Sequence, residues 1–238
     1  METKNIQDNV RLVRDKIRRA AERTGRSPDR VRLIAVTKSV PVQYIQQAIE
    51  AGATIVGENR LQEAIPKMGS IGRLAVNWHF IGRLQRRKVK AVVGSFDVIH
   101  SVDSLELARE IDRRAREAGL QQTILLEVNL GGEPSKAGFA PAEVEDVLRR
   151  LDAHEHIAVN GLMAIPPRTR EPETARPYFR ALHDLATHMM RQAFQRIRME
   201  ELSMGMSDDY EVAVEEGATL VRVGTAIFGA RPEQAAAG

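Results

Sequence analysis

Apolar, largely β-branched runs recur along this chain at 31–37, 54–57, 77–81, 97–101, 123–130, 158–163, 201–205 and 219–223. Each is short, nearly continuous in apolar content and bounded by polar or turn-forming residues, which predicts parallel strands covered on both faces. Every run but the last is followed by a segment with helical spacing. Val40-Pro41 opens the first of these, with proline in the first turn, and Ala51-Gly52 closes it. Residues 58–68 predict the second, ended by Pro66 and Gly69, and residues 85–93 the third. The segment 104–118 has Ser104 as N-cap and Gly119 as terminator. Segments 141–151, 173–191 and 208–216 follow, with a short one after Thr225. Ahead of the first strand, Ile6, Val10, Val13, Ile17 and Ala21 mark the apolar face of an N-terminal helix over 5–23.

Strands alternating with helices in this way predict the α/β class, as a single closed (β/α)8 TIM barrel with an extra N-terminal helix. A doubly wound open sheet is the alternative. No composition break marks a second domain, so residues 1–238 read as one. The Pro-rich stretch 166–172 sits between a strand and its helix, and the small, polar tail 231–238 is expected to fray.

Composition narrows the chemistry. The chain has no cysteine, which removes disulfides, thiolate metal sites and cysteine nucleophiles. His154 and His156 fall in an expected surface loop without metal-ligand spacing, so no metal site is expected. A net charge of only +3 is a poor basis for nucleic-acid binding despite a pI of about 9.4. No run reaches the roughly 18 apolar residues of a membrane span. The start of the chain carries no apolar signal segment, and the cytoplasm is the expected compartment.

In a parallel barrel the functional groups follow the strands. Strand one ends on Lys38, an amine suited either to an anion or to attack on a carbonyl. Ser207 and Asp208 follow strand seven at the start of a helix, and Gly224-Thr225 repeats that arrangement after strand eight. Phosphate sites in barrels often use these two loops, because small residues and unpaired N–H groups let an anion approach. The plain alternative makes Ser207 and Thr225 helix N-caps. Arg222 shares a strand face with Gly224. Inside the barrel its guanidinium needs either a carboxylate such as Glu127 or a ligand acceptor. Strands one and eight adjoin in a closed barrel, so the amine faces the phosphate cradle. A phosphorylated aldehyde suits the pair: pyridoxal phosphate (PLP) or a phosphosugar.

Several segments carry a family likeness. They are Ala35-Val36-Thr37-Lys38, Gly57-Glu58-Asn59, Trp78-His79-Phe80-Ile81-Gly82, Ser135-Lys136-Ala137-Gly138, Gly161-Leu162-Met163-Ala164-Ile165, Leu202-Ser203-Met204-Gly205-Met206-Ser207 and Val221-Arg222-Val223-Gly224-Thr225. Together they resemble the pyridoxal phosphate homeostasis protein family, from about residue 8 to 231. The resemblance implies the PLP-binding barrel of fold-type III enzymes, like the N-terminal domain of alanine racemase. It implies that Lys38 forms the Schiff base, that Ser207, Gly224 and Thr225 hold the phosphate, and that Arg222 lies near the pyridine nitrogen. It implies that Asn59 approaches the cofactor and that Ser203 and Met204 line the pocket. The chain departs from the family at Arg86-Arg87, where a polar residue and asparagine are common. The denser basic run Arg83, Arg86, Arg87, Lys88 and Lys90 reads as a solvated face, or else as an anion site.

Arginine at the ring nitrogen donates a hydrogen bond and accepts no proton, so the ring stays mostly neutral and is a poor electron sink. The tyrosines Tyr44, Tyr178 and Tyr210 fall outside the strand-end motifs. The chain is expected to end as the barrel closes, with no capping domain. The expectation is therefore a non-catalytic, monomeric PLP binder that buffers the cofactor or passes it to apo PLP enzymes. A fold-type III racemase or decarboxylase is the alternative, and a Schiff-base aldolase using Lys38 or Lys136 a third reading.

Overall fold

The computed structural model describes residues 5–133, 136–167 and 171–229. Eight parallel strands close into a barrel: β1 (Arg32–Val36), β2 (Ile55–Glu58), β3 (Asn77–Phe80), β4 (Val98–Val102), β5 (Gln122–Glu127), β6 (Ile157–Met163), β7 (Glu201–Ser203) and β8 (Leu220–Val223). They pair in chain order, and β1 closes on β8 with Ile34 opposite Arg222. This excludes the open sheet. Ser135, residues 168–170 and the expected frayed tail 231–238 lie outside the described residues.

The helices are α1 (Ile6–Arg23), α2 (Val42–Glu50), α3 (Leu61–Ile71), α4 (Val89–Val92), α5 (Leu105–Glu117), α6 (Val144–Leu151), α7 (Arg176–Met190), α8 (Tyr210–Glu215) and α9 (Thr225–Phe228). Helix α1 buries Ile6, Val10, Val13, Ile17, Ala20 and Ala21, as its spacing predicts. It packs against α8 and α9, and Arg23 bonds Glu215 at 2.8 Å. Ser104 caps α5 through its side chain.

Several boundaries differ from the sequence reading. Helix α4 covers only Val89–Val92 of the expected 85–93, and β5 ends at Glu127 rather than 130. Two further differences have a local cause. Helix α3 runs through Pro66 and Gly69 and stops only at Gly72. Pro66 removes one hydrogen bond to the carbonyl four residues back, at Gln62. Both residues are exposed, so water can satisfy that carbonyl. Strand β7 ends at Ser203 rather than 205, because Gly205 turns the chain at φ +87.

Two cores result. A large apolar core lies between the strands and the helices. A small one, Ile34, Ile55, Leu125, Met163 and Leu220, fills the barrel interior. At the edge of that interior, β6 shifts register against β5 between Val159 and Leu162. Gly161 sits in the shift at φ +153, where an added Cβ would meet the Glu201 carbonyl oxygen at 1.9 Å. Only glycine lets β7 pair there. Above the small core the interior turns polar, and this is where the site begins.

Candidate functional site

Lys38 leaves the C-terminal end of β1, half-buried, at the mouth of the barrel. The backbone on either side of it is clamped. Thr37 donates its N–H to the Gly57 carbonyl at 3.0 Å and its hydroxyl to Glu58 Oε1 at 2.6 Å. The Thr37 carbonyl accepts from Lys67 Nζ at 2.7 Å. Ser39 has φ +59 and donates its N–H to Glu63 Oε2 at 2.7 Å. The left-handed turn at a serine is costly, and the α3 carboxylate helps to hold it.

This clamp is built on a buried ion pair. Lys67 Nζ lies 2.7 Å from Glu58 Oε1, with Glu58 fully buried and Lys67 nearly so. Desolvation pushes the Glu58 carboxyl up, while the bonds from Lys67 and Thr37 pull it down. Sequence reasoning missed Glu63 and Lys67, which stand four apart on a helix and look like an ordinary surface pair.

The next residue of the β2 end, Asn59, presses against the β3 end. A Cβ on Gly82 would fall 2.5 Å from the Asn59 carbonyl oxygen and 2.6 Å from its Cα. The Asn59 Oδ1 is buried with no hydrogen-bond partner among the described residues. A buried polar atom left unpaired at a barrel mouth is a natural place for a ligand donor.

Ser207 and Gly224 do come together. The Ser207 hydroxyl oxygen accepts from the Gly224 N–H at 3.2 Å and from the Ala226 N–H at 3.3 Å. Ser207 is not a helix cap: α8 starts at Tyr210 with Asp209 in the N-cap position, and the Asp209 Oδ1 accepts from the Met206 N–H of the preceding loop at 2.6 Å. Thr225 is likewise the first residue of α9, with Gly224 before it. The N-cap reading of both fails: Ser207 lies two residues before the N-cap position of α8, and Thr225 one residue after that of α9. Two donors, one from the β8 loop and one from the first turn of α9, thus converge on one oxygen held by the β7 loop. Gly224 lies beside Val36 of β1, with an ideal Cβ 3.4 Å from the Val36 Cβ, which brings the cradle next to the Lys38 strand.

Arg222 points into the interior and is 5% exposed. Its Nη1 donates to the Ser203 carbonyl at 2.7 Å and to Ser203 Oγ at 2.5 Å, and its Nη2 donates to the Ala164 carbonyl at 3.0 Å. Its hydrogen-bond partners are therefore carbonyls and a hydroxyl, not the Glu127 carboxylate. Glu127 acts only through its field, with Asp209: both oppose the burial that lowers the guanidinium to about 10. Arg222 remains charged at neutral pH. The Nε hydrogen and one Nη2 hydrogen have no hydrogen-bond acceptor among the described residues and suit an acceptor on a ligand. Ser203 and Met204 are both fully buried. Ser203 belongs to a linked trio the sequence reading passed over: its Oγ lies 2.9 Å from His100 Nδ1, and His100 Nε2 lies 2.9 Å from His79 Nδ1.

Elsewhere the expectations meet mixed ground. Arg86, Arg87 and Lys90 are exposed, in keeping with a solvated face, and Arg83 reaches Asp103 only at 4.0 Å. Tyr210 is buried, with its phenol pushed up to about 12 by desolvation. Among the described residues no His, Asp or Glu cluster could hold a metal, and no helix is long and apolar enough to cross a membrane.

The family model described as the alanine racemase N-terminal domain matches residues 3–232. A protein of Aquifex aeolicus named pyridoxal phosphate homeostasis protein is 41% identical over 227 residues, covering 95% of this chain and 99% of that one. One of the same name from Escherichia coli is 40% identical over 235 residues, covering 95% and 97%. The chain belongs to the pyridoxal phosphate homeostasis protein family. Among solved members, PipY of Synechococcus elongatus with PLP bound aligns at TM-score 0.78 and 40% identity, covering 90% of this chain and 99% of that one. Alanine racemase of Clostridium difficile aligns at TM-score 0.70 but 16% identity, over 95% of this chain and 58% of that one. That likeness extends to the barrel alone.

Proposed function

We propose that this protein binds pyridoxal 5′-phosphate at the C-terminal mouth of the barrel and serves its homeostasis by holding and releasing it. The observation that carries the reading is the gathering of the Gly224 and Ala226 N–H groups on Ser207 Oγ, beside the strand that ends in Lys38. A phosphate fits the donors gathered there, the Ser207 hydroxyl and the Gly224 and Ala226 N–H groups, with Thr225 between the last two. Lys38 is the amine for the aldehyde carbon, Arg222 the donor to the ring nitrogen, and Asn59 an acceptor near the ring, with Ser203 and Met204 behind it. Bound there, the cofactor supplies an electrophilic carbon and a ring that can take up electrons.

The residues favour keeping the cofactor over using it. Arg222 only donates, so it cannot accept a hydrogen bond from a protonated ring nitrogen, and the ring stays mostly neutral. Amino-acid turnover also needs a base on the opposite face of the ring. Tyr210, buried and held protonated, does not supply one, and Tyr44 and Tyr178 ride on α2 and α7. The names of the relatives and the PLP in PipY support the same reading. It extends to a cytoplasmic monomer that passes PLP to apo-enzymes.

Reconstitution with PLP should turn the protein yellow. Borohydride reduction followed by peptide mapping should find the label on Lys38, and Lys38→Ala should abolish it. A label on Lys136 or no uptake by the wild type would refute the site. Racemisation or CO₂ release from L-amino acids at enzyme-like rates would instead establish the racemase or decarboxylase alternative. Size-exclusion chromatography with light scattering checks the monomer.

A further inference from the structure

Arg222 stands at one end of a hydrogen-bonded chain that crosses the barrel. It bonds Ser203 Oγ at 2.5 Å, Ser203 Oγ lies 2.9 Å from His100 Nδ1, and His100 Nε2 lies 2.9 Å from His79 Nδ1. Strands β8, β7, β4 and β3 each contribute one member. Every member is buried: Arg222 5%, Ser203 0%, His100 0% and His79 3% exposed. His79 also lines a cavity of about 510 Å³ at the opposite, N-terminal mouth, with Arg32, Asn77, Asn160 and Glu201.

The direction of the chain follows from Arg222. A guanidinium only donates, so Ser203 Oγ accepts from it. The one hydroxyl hydrogen of Ser203 then needs an acceptor, and His100 Nδ1 is the acceptor within reach. That leaves the His100 hydrogen on Nε2, donated to His79 Nδ1, and the His79 hydrogen on Nε2. The reverse order would strand the Ser203 hydroxyl hydrogen in a dry interior. Burial holds both imidazoles neutral, and the field of Arg222 works in the same sense on His100. A neutral acceptor is what the chain needs, because an imidazolium would repel the guanidinium.

We infer that His100 and His79 are positioning residues for the cofactor site, which through Ser203 hold the Arg222 guanidinium in the pose that donates to the ring nitrogen. Neither histidine touches the cofactor. The inference rests on PLP binding at this mouth with Arg222 at the ring. A core-filling role for the pair would depend on shape and volume, whereas a positioning role depends on an acceptor at the place of His100 Nδ1.

Two variants separate these. His100→Leu removes the acceptor, while His100→Asn keeps an oxygen near the Nδ1 position. Both lose packing and the bond to His79. Each is loaded with PLP, and two quantities are read: the position of the cofactor absorption band, and the release rate when excess phosphatase destroys free PLP. His100→Leu should shift the band and speed release by about tenfold or more, the loss expected when a hydrogen-bonded charge is left poorly held. His100→Asn should stay near wild type on both while its melting temperature also falls. Leu and Asn variants that match each other in band and release overturn the inference. If His100→Leu fails to fold, Ser203→Ala cuts the same link by one atom and should give the same shift, and an unchanged band there is equally fatal. A wild-type protein that takes up no PLP would sink the function reading instead, which keeps the two failures apart.

Discussion

Lys67 shows how much of this site lies one residue away from its chemistry. It neutralises Glu58, which is completely buried, and holds the carbonyl that precedes Lys38. Lys67→Met would leave the carboxylate without its cation, a change that costs about 3–5 kcal/mol. The cost should depend on pH. Glu58 has a folded pKa raised above its ordinary value, so its protonated form is favoured by burial and its contribution is present at low pH and lost as pH rises through the raised value. Denaturant unfolding should therefore find Lys67→Met much weaker than wild type at pH 7 and closer to it near pH 4. A pH-independent difference would mean that the pair contributes through packing. The sequence could place Lys38, because an amine at the end of an apolar run is visible in one dimension. It could not place Lys67, whose partner becomes apparent only when α3 folds back over the β1–β2 edge.

The strands were legible as elements because parallel strands are buried on both faces and so spell continuous apolar runs. Helix ends were less so. Proline and glycine in α3 are punctuation by local rule, yet burial of Leu61, Ala64, Lys67 and Met68 carries the helix past them. The joints between elements were the hardest to read, since they depend on what a neighbouring strand end places against a glycine. Gly82 is such a joint: the β3 end touches the Asn59 backbone there, closer than a methyl group permits. Gly82→Ala must push the β2 and β3 ends apart, because the obstacle is backbone and cannot rotate away. The expected cost is about 1–3 kcal/mol in stability. The displacement should also weaken PLP binding, since Asn59 moves with its backbone. Isothermal titration alongside thermal melting separates the two effects. Lost stability with unchanged affinity would remove Asn59 from the cofactor site.

At the scale of the whole barrel, the interior is divided between an apolar layer and a polar chain, and the second has a thermodynamic signature. His79 is held down to about 3 and His100 well below its ordinary value, each mainly by desolvation. A histidine in an unfolded chain titrates near 6.5. A depressed folded pKa means that the unfolded state binds the proton first. The stability from these groups is therefore complete above about pH 6.5 and drains away as pH falls toward the folded values. Each neutral histidine should cost about 1.4 kcal/mol per pH unit below that point, and the pair about twice as much. A domain of ordinary stability holds only about 5–15 kcal/mol in all, so this one slope can consume much of it by pH 4. Most carboxylates are still ionised between pH 6 and 5, which makes that interval diagnostic. Urea unfolding of the PLP-free protein should show a steep fall there, and His100→Asn should flatten it by about 1.4 kcal/mol per pH unit. Equal slopes in the two proteins would mean that water reaches the imidazoles and that the interior chain is wetter than its burial implies. A smaller slope in His100→Asn ties the acid limit of the fold to the same residues that steady Arg222, so that the barrel loses its grip on the ring nitrogen and its own stability over one range of pH.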